Sequence, residues 1–251
     1  GLYYVSNRVI KEEAKAQVRK YTGLSAEAID DLNESLKKMD TRTSREQLNA
    51  LAGDAGKLGI TSKEQILDFV EAADKINVAL GDDLGDGAVK NVGKLAMLFE
   101  EDQRLGLKGA MLATASVINE LSQNSSAGAG YLEEFTARVA GVGKQAGLTQ
   151  AQIMGFAAVL DENMQQDETS ATAFSQLITK MYQEPAKFAA LAGKDVKEFS
   201  RLIKEDANGA LIAFLGNMKA QGGFDKLAPM FEKMVLDGTR ATSVLSSVAH
   251  K

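Results

Sequence analysis

Apolar side chains recur along this chain at the spacing of one helix face. Ile66, Phe69, Val70 and Ala73 stand at i, i+3, i+4 and i+7, and Ile153, Phe156, Ala157 and Leu160 repeat that spacing. Phe199, Leu202 and Ile203 form a shorter stretch of the same kind. Residues 3–21 place Val5, Val9, Ala16 and Tyr21 among Lys, Arg and Glu, the pattern of a polar amphipathic helix. Further helices are predicted from the phrase "GLSAEAIDDLNESLKKM" with Ser25 as N-cap, from Thr43 or Ser44 to about Lys57, from about Ala88 to Glu101, and over "LKGAMLATASVINEL". Residues 131–145 and 168–182 read as helices, as do shorter stretches at 185–191, 195–205, 208–220, 223–235 and 239–249. No segment alternates with period two for long enough to read as a strand. The expected fold class is all-α: a compact multi-helix domain of roughly a dozen short helices with weak internal repetition.

The repetition lies in the polar positions between those faces. "GITSKEQI" at 59–66 and "GLTQAQI" at 147–153 both open with Gly, an aliphatic residue and Thr, and "GKDVKEF" at 193–199 is a looser version. Gly59 is expected to end one helix in the left-handed conformation, Thr61 to cap the next, and Glu64 to close a capping box. Gly147, Thr149 and Gln152 take the same roles in the second copy, and Gly193, Asp195 and Glu198 in the third. The apolar faces of the first two copies align at one residue less offset than these caps do. The phrase reads as helix stop, tight turn, helix start: a structural joint.

Domain organisation is read from breaks in the pattern. Residues 1–44 form a helical lead-in and 45–251 the main helical domain. "SQNSSAGAG" at 122–130 is the clearest loop and a candidate subdomain boundary. The chain starts with Gly, which suggests a leading scar on a piece of a longer protein.

Composition narrows the chemistry. At 251 residues, 45% apolar and 25% charged, the chain has enough material to bury a core. Its formal net charge of −5 and lack of a Lys/Arg run argue against sequence-specific nucleic-acid binding. The absence of Cys removes disulfides and thiolate sites, and no apolar run approaches a membrane span of about 20 residues.

No constellation for catalysis, metal or cofactor emerges. The single His, His250, is one residue from the end, so a Ser-His-Asp triad has no well-placed base. "GDDLGDG" at 81–87 fails as a calcium loop, because a start at Asp82 puts Leu84 at position 3 and Gly93 at position 12. "GVGKQ" at 141–145 fails as a phosphate loop, because Arg138 and Gln145 stand where Gly and Ser/Thr are needed. Glu100, Glu101 and Asp102 read as a solvated helix end. Met154, Met164, Met181, Met230 and Met234 read as core filling. The expectation is a non-enzymatic structural or interaction protein with no cofactor.

The order of phrases adds a resemblance. "AGKLGITSKEQILDFVEAADKINVALGDDL" at 55–84 is followed by "GKLAMLFEE" at 93–101 and by "LATASVINELSQNSSAGAGYLEEFTARVAGVGKQAGLTQAQIMGFAAVLDE" at 112–162. "MVLDGTRATSVLSSVA" at 234–249 closes the series. This succession resembles the core region of phage tail tape measure proteins, over about residues 45 to 250. "MQQDETSA", within 163–180, departs from the small Gly-containing turn common in that family. The resemblance implies a structural component of a phage or prophage tail that helps set tail length, nucleates tail tube assembly and acts in DNA ejection. It implies tail tube protein, tail assembly chaperones and baseplate proteins as partners. It places the protein in the virion tail, and in the bacterial cytoplasm during assembly. No catalytic residue is carried over. The alternative is a cellular all-helical adaptor or scaffold domain without catalytic activity.

Overall fold

The computed structural model describes residues 2–84, 87–164, 168–222, 229, 230 and 233. Among the described residues there are twelve helices and no strand, so the all-α expectation holds. They are α1 (Leu2–Thr22), α2 (Ala26–Lys37), α3 (Arg45–Lys57), α4 (Lys63–Leu84), α5 (Ala88–Leu98), α6 (Glu101–Asn124), α7 (Ala129–Gln145), α8 (Gln150–Met164), α9 (Glu168–Gln183), α10 (Pro185–Ala192), α11 (Val196–Glu205) and α12 (Ala207–Ala220). The helices expected at 223–235 and 239–249, with His250, lie outside the described residues apart from 229, 230 and 233.

The chain divides into two compact units, Gly1–Asn119 and Glu120–Lys251. In the first, α3 packs against α1 and α4, and α2 lies against α3 and α4. Ser25 and Ser44 cap α2 and α3, each hydroxyl accepting from a backbone N–H three residues on, at 3.1 and 3.2 Å. Leu32, Leu36, Leu48, Ile66 and Phe69 are buried at the centre. Val18 of α1 and Ile29, Leu32 and Leu36 of α2 are buried in the same unit as α3 and α4. Gly56 of α3 meets the α1 terminus so closely that a Cβ there would lie 2.6 Å from the Tyr21 carbonyl carbon. Gly93 of α5 sits on the Phe69 ring in a similar way, at 2.7 Å.

In the second unit, α7 packs on α8 and α9. Its core is a chain of rings: Tyr131 to Phe135 at 5.9 Å, Phe135 to Phe174 at 5.5 Å, and Phe174 to Phe156 at 5.2 Å between centroids. The helices α10, α11 and α12 pack on one another, with Phe188 edge-on to Phe214 at 5.5 Å.

Two boundaries differ from the sequence reading. The helix expected to run from 88 to 101 stops at Leu98, and Glu100 takes a positive φ of 57° before α6 begins. Gly106 then bends α6 with φ 73° and ψ 159°, a conformation open to glycine and costly for other residues. The loop expected over 122–130 is shorter, because α6 continues through Asn124. Asn124 and Ser125 donate side-chain hydrogen bonds to the carbonyls of Glu120 and Leu121, at 2.8 and 2.7 Å, and so complete the last turn.

Candidate functional site

The three joints singled out by the sequence connect α3 to α4, α7 to α8, and α10 to α11. Gly59, Gly147 and Gly193 all have positive φ, at 86°, 81° and 68°. In each joint the residue after the Gly donates its backbone N–H to the carbonyl five residues earlier. Ile60 donates to Ala55 at 3.1 Å, Leu148 to Gly143 at 2.9 Å, and Lys194 to Ala189 at 2.9 Å. This bond satisfies a helix-end carbonyl that would otherwise lack a partner. Ile60 and Leu148 are each 4% exposed, so the first two turns are also tied into a core.

Helix restart differs among the three. Thr149 and Gln152 form a reciprocal capping box. The Gln152 N–H donates to the Thr149 hydroxyl at 3.1 Å, and the Thr149 N–H donates to the Gln152 side-chain oxygen at 3.0 Å. Asp195 caps α11, its carboxylate accepting from the Lys197 and Glu198 N–H groups at 3.1 and 3.3 Å. At the first joint the cap falls on Ser62, one residue beyond Thr61. The Gln65 N–H donates to the Ser62 hydroxyl at 3.2 Å, and α4 starts at Lys63. Glu64 is thus the second helical residue, ahead of the capping-box position held by Gln65.

The shift has a physical cause. Ser62 precedes Ile66 by four residues, as Thr149 precedes Ile153, and both Ile side chains are fully buried. A cap on Thr61 would turn the α4 face away from the core by one residue, about 100°. The one-residue offset between the copies is therefore Thr61 itself, an exposed residue inserted in the turn. The Ser/Thr-x-x-Glu/Gln frame fits both 61/64 and 62/65, and only the register of the apolar face separates them.

Asn217 is a joint residue that motif reading missed. It projects from α12, and its side-chain amide donates to the Leu191 carbonyl at 2.7 Å. It also lies where a Cβ on Gly193 would fall, within 3.3 Å. Nothing in the local sequence near Gly193 announces a partner twenty-four residues away.

The remaining candidates fall into structural roles. Leu84, at the third position of the tested calcium loop, is buried at 6% exposure, and residues 85 and 86 lie outside the description. Among the described residues no group of three or more His, Cys, Asp or Glu is arranged to hold a metal. Gly143 of "GVGKQ" lies inside α7 against Ile153. Glu101 pairs with Arg104 at 2.7 Å. Met154 and Met181 are buried, whereas the side chains of Met164 and Met234 lie outside the description. Among the described residues no helix is long and apolar enough to cross a membrane.

What the geometry offers is a series of capped helix pairs. No curated protein and no solved structure shows a significant match to the chain. A family match does cover residues 26–248, from the start of α2 through all later helices, described as phage-related minor tail protein. The chain belongs to the family of phage-related minor tail proteins, structural components of the phage tail.

Proposed function

We propose that this chain is the core region of a tape measure protein, the tail component whose length sets the length of the tail tube. The observation that carries the reading is the ordered set of phrases at 55–84, 93–101, 112–162 and 234–249, nearly all inside the span matched by the minor tail family. In this role the chain nucleates tube assembly, contacts tail tube protein, tail assembly chaperones and baseplate proteins, and leaves during DNA ejection. It acts by binding and not by catalysis. It is assembled in the bacterial cytoplasm and resides in the virion tail.

The architecture bears on how such a core would work. A single helix of 251 residues would reach about 375 Å at about 1.5 Å per residue. The twelve helices among the described residues are 8 to 24 residues long, and capped glycine turns join three pairs of them. The described segment is therefore a folded element and not itself an extended ruler. It serves as a docking or nucleating element, or as a section that unfolds to pass along the tube.

The deciding experiment is mass spectrometry of phage-like particles induced from the source strain and purified on a gradient. Peptides of this chain co-sedimenting with tail tube protein, together with a tail-length change on in-frame deletion, are expected. Recovery of the chain only from the cytosol of uninduced cells would overturn the reading in favour of a cellular adaptor.

A further inference from the structure

The two joints with the closest sequence match belong to two hairpins that share more than their turns. In the first, the hydroxyl of Thr43, just ahead of α3, donates to the carboxylate of Asp74 in α4. In the second, the hydroxyl of Ser126, just ahead of α7, donates to the carboxylate of Asp161 in α8 at 2.8 Å. Asp74 stands twelve residues beyond the cap Ser62, and Asp161 stands twelve beyond the cap Thr149. Twelve residues of helix rise about 18 Å, which brings each carboxylate back beside the start of the preceding helix.

Between joint and carboxylate four buried positions correspond, although Ala72 is buried where its counterpart Val159 is exposed. Ile66, Phe69, Val70 and Ala73 match Ile153, Phe156, Ala157 and Leu160. Ahead of the joint, Leu51 and Ala52 match Val139 and Ala140. The Gly turn and the carboxylate therefore close the hairpin at its two opposite ends.

We infer that α3–α4 and α7–α8 are two copies of one latched hairpin, each opening at its own Asp–hydroxyl contact by rotation about its own glycine joint. The latch is the contact to break first. It joins the hairpin end remote from the covalent turn, and a single hydroxyl supplies it. A carboxylate–hydroxyl bond is charge-assisted and stronger than a neutral one, so its loss is felt locally. The copies differ in strength. Asp74 is 5% exposed, whereas Asp161 is half-buried and Ser126 exposed, so water competes for the second latch. The second hairpin opens first.

Hydrogen exchange with mass spectrometry on the full chain tests this, using Thr43→Ala, Ser126→Ala and the conservative Thr43→Ser and Ser126→Thr. Ser126→Ala is expected to speed exchange about tenfold or more in 157–164 and the first turn of α7, leaving 44–84 unchanged. Thr43→Ala is expected to do the same in 70–84 and the first turn of α3, leaving 129–164 unchanged. The conservative variants restore wild-type rates. In the unmodified chain, 157–164 exchanges faster than 70–84. Exchange that rises uniformly through a unit, in both units at once, or nowhere would overturn the inference. Should Thr43→Ala fail to fold, the Ser126 pair alone decides, because that latch is solvent-accessible. The outcome is independent of the proposed tape measure role, since it is read on the isolated chain.

Discussion

The Asn33 and Asn49 side chains exchange reciprocal amide hydrogen bonds between α2 and α3. Asn33 Nδ2 donates to Asn49 Oδ1 at 3.0 Å, and Asn49 Nδ2 donates to Asn33 Oδ1 at 2.8 Å. Each amide also donates to a backbone carbonyl of its own helix, Ile29 at 2.9 Å and Arg45 at 2.8 Å. Both residues are buried, at 3% and 0% exposure, so the pair is polar but satisfied. Such a pair fixes one register between two helices, because sliding either helix by a turn strands buried amides.

Removing one member leaves the other buried with an unmet partner. Asn33→Ala or Asn49→Ala is expected to cost about 1–3 kcal/mol. Replacing both with Ala is expected to cost less than the sum of the two singles. Urea denaturation in a double-mutant cycle measures the coupling, and strictly additive losses would show that the pair contributes no specificity.

Gly56 and Gly53, one turn apart on α3, face α1 with opposite tolerances. A Cβ on Gly56 would meet Tyr21 and Thr22 backbone atoms between 2.6 and 2.8 Å, and backbone does not yield as a side-chain tip does. A Cβ on Gly53 would meet the Tyr21 ring edge at 3.8 Å, an ordinary contact. Gly56→Ala is expected to destabilise by about 1–3 kcal/mol through forced separation of the helices. Gly53→Ala is expected to be neutral or to stabilise by up to about 1 kcal/mol from helix propensity. Thermal unfolding of the two variants side by side checks the contrast.

At the first joint, Ser62→Ala is expected to lose about 1 kcal/mol while Thr61→Ala changes little. Thr149→Ala at the second joint is expected to lose a similar amount. Equal losses from Thr61→Ala and Ser62→Ala, read from chemical denaturation midpoints, would return the cap to Thr61.

Tyr182 supplies the alkaline prediction. Its hydroxyl, on α9, donates to the Ile203 carbonyl of α11 at 3.0 Å, and although the residue is 42% exposed, partial desolvation raises its phenol pKa above the ordinary 10.0. The folded chain then holds the phenol proton more tightly than the unfolded chain does. Its contribution to stability is fully present below pH 10.0 and is lost as pH rises through the native pKa. Tyr182→Phe is expected to flatten the alkaline limb of the stability profile, measured by denaturation at stepped pH.

If the segment unfolds to pass along a tail tube, its melting temperature should be moderate. A value above about 90 °C would place it among hyperstable domains and favour the docking role. Calorimetry of the isolated chain separates the two.

The sequence by itself determined where many of the helices stop and start, because those signals act within a single turn. Gly59, Gly147 and Gly193 are legible as joints for that reason, and so are the caps at Ser25, Thr149 and Asp195. Periodicity likewise placed Ile66, Phe69, Ile153, Phe156 and Phe199 in the core. Tertiary structure decided what the local signals left degenerate. It chose Ser62 over Thr61, since only burial of Ile66 distinguishes two overlapping capping frames. It paired Asn33 with Asn49, Thr43 with Asp74, Ser126 with Asp161, and Asn217 with Leu191. These partners lie sixteen to thirty-five residues apart, beyond any helical period. A polar residue in sequence shows that it needs a partner, and only the packing of helices determines which one it meets.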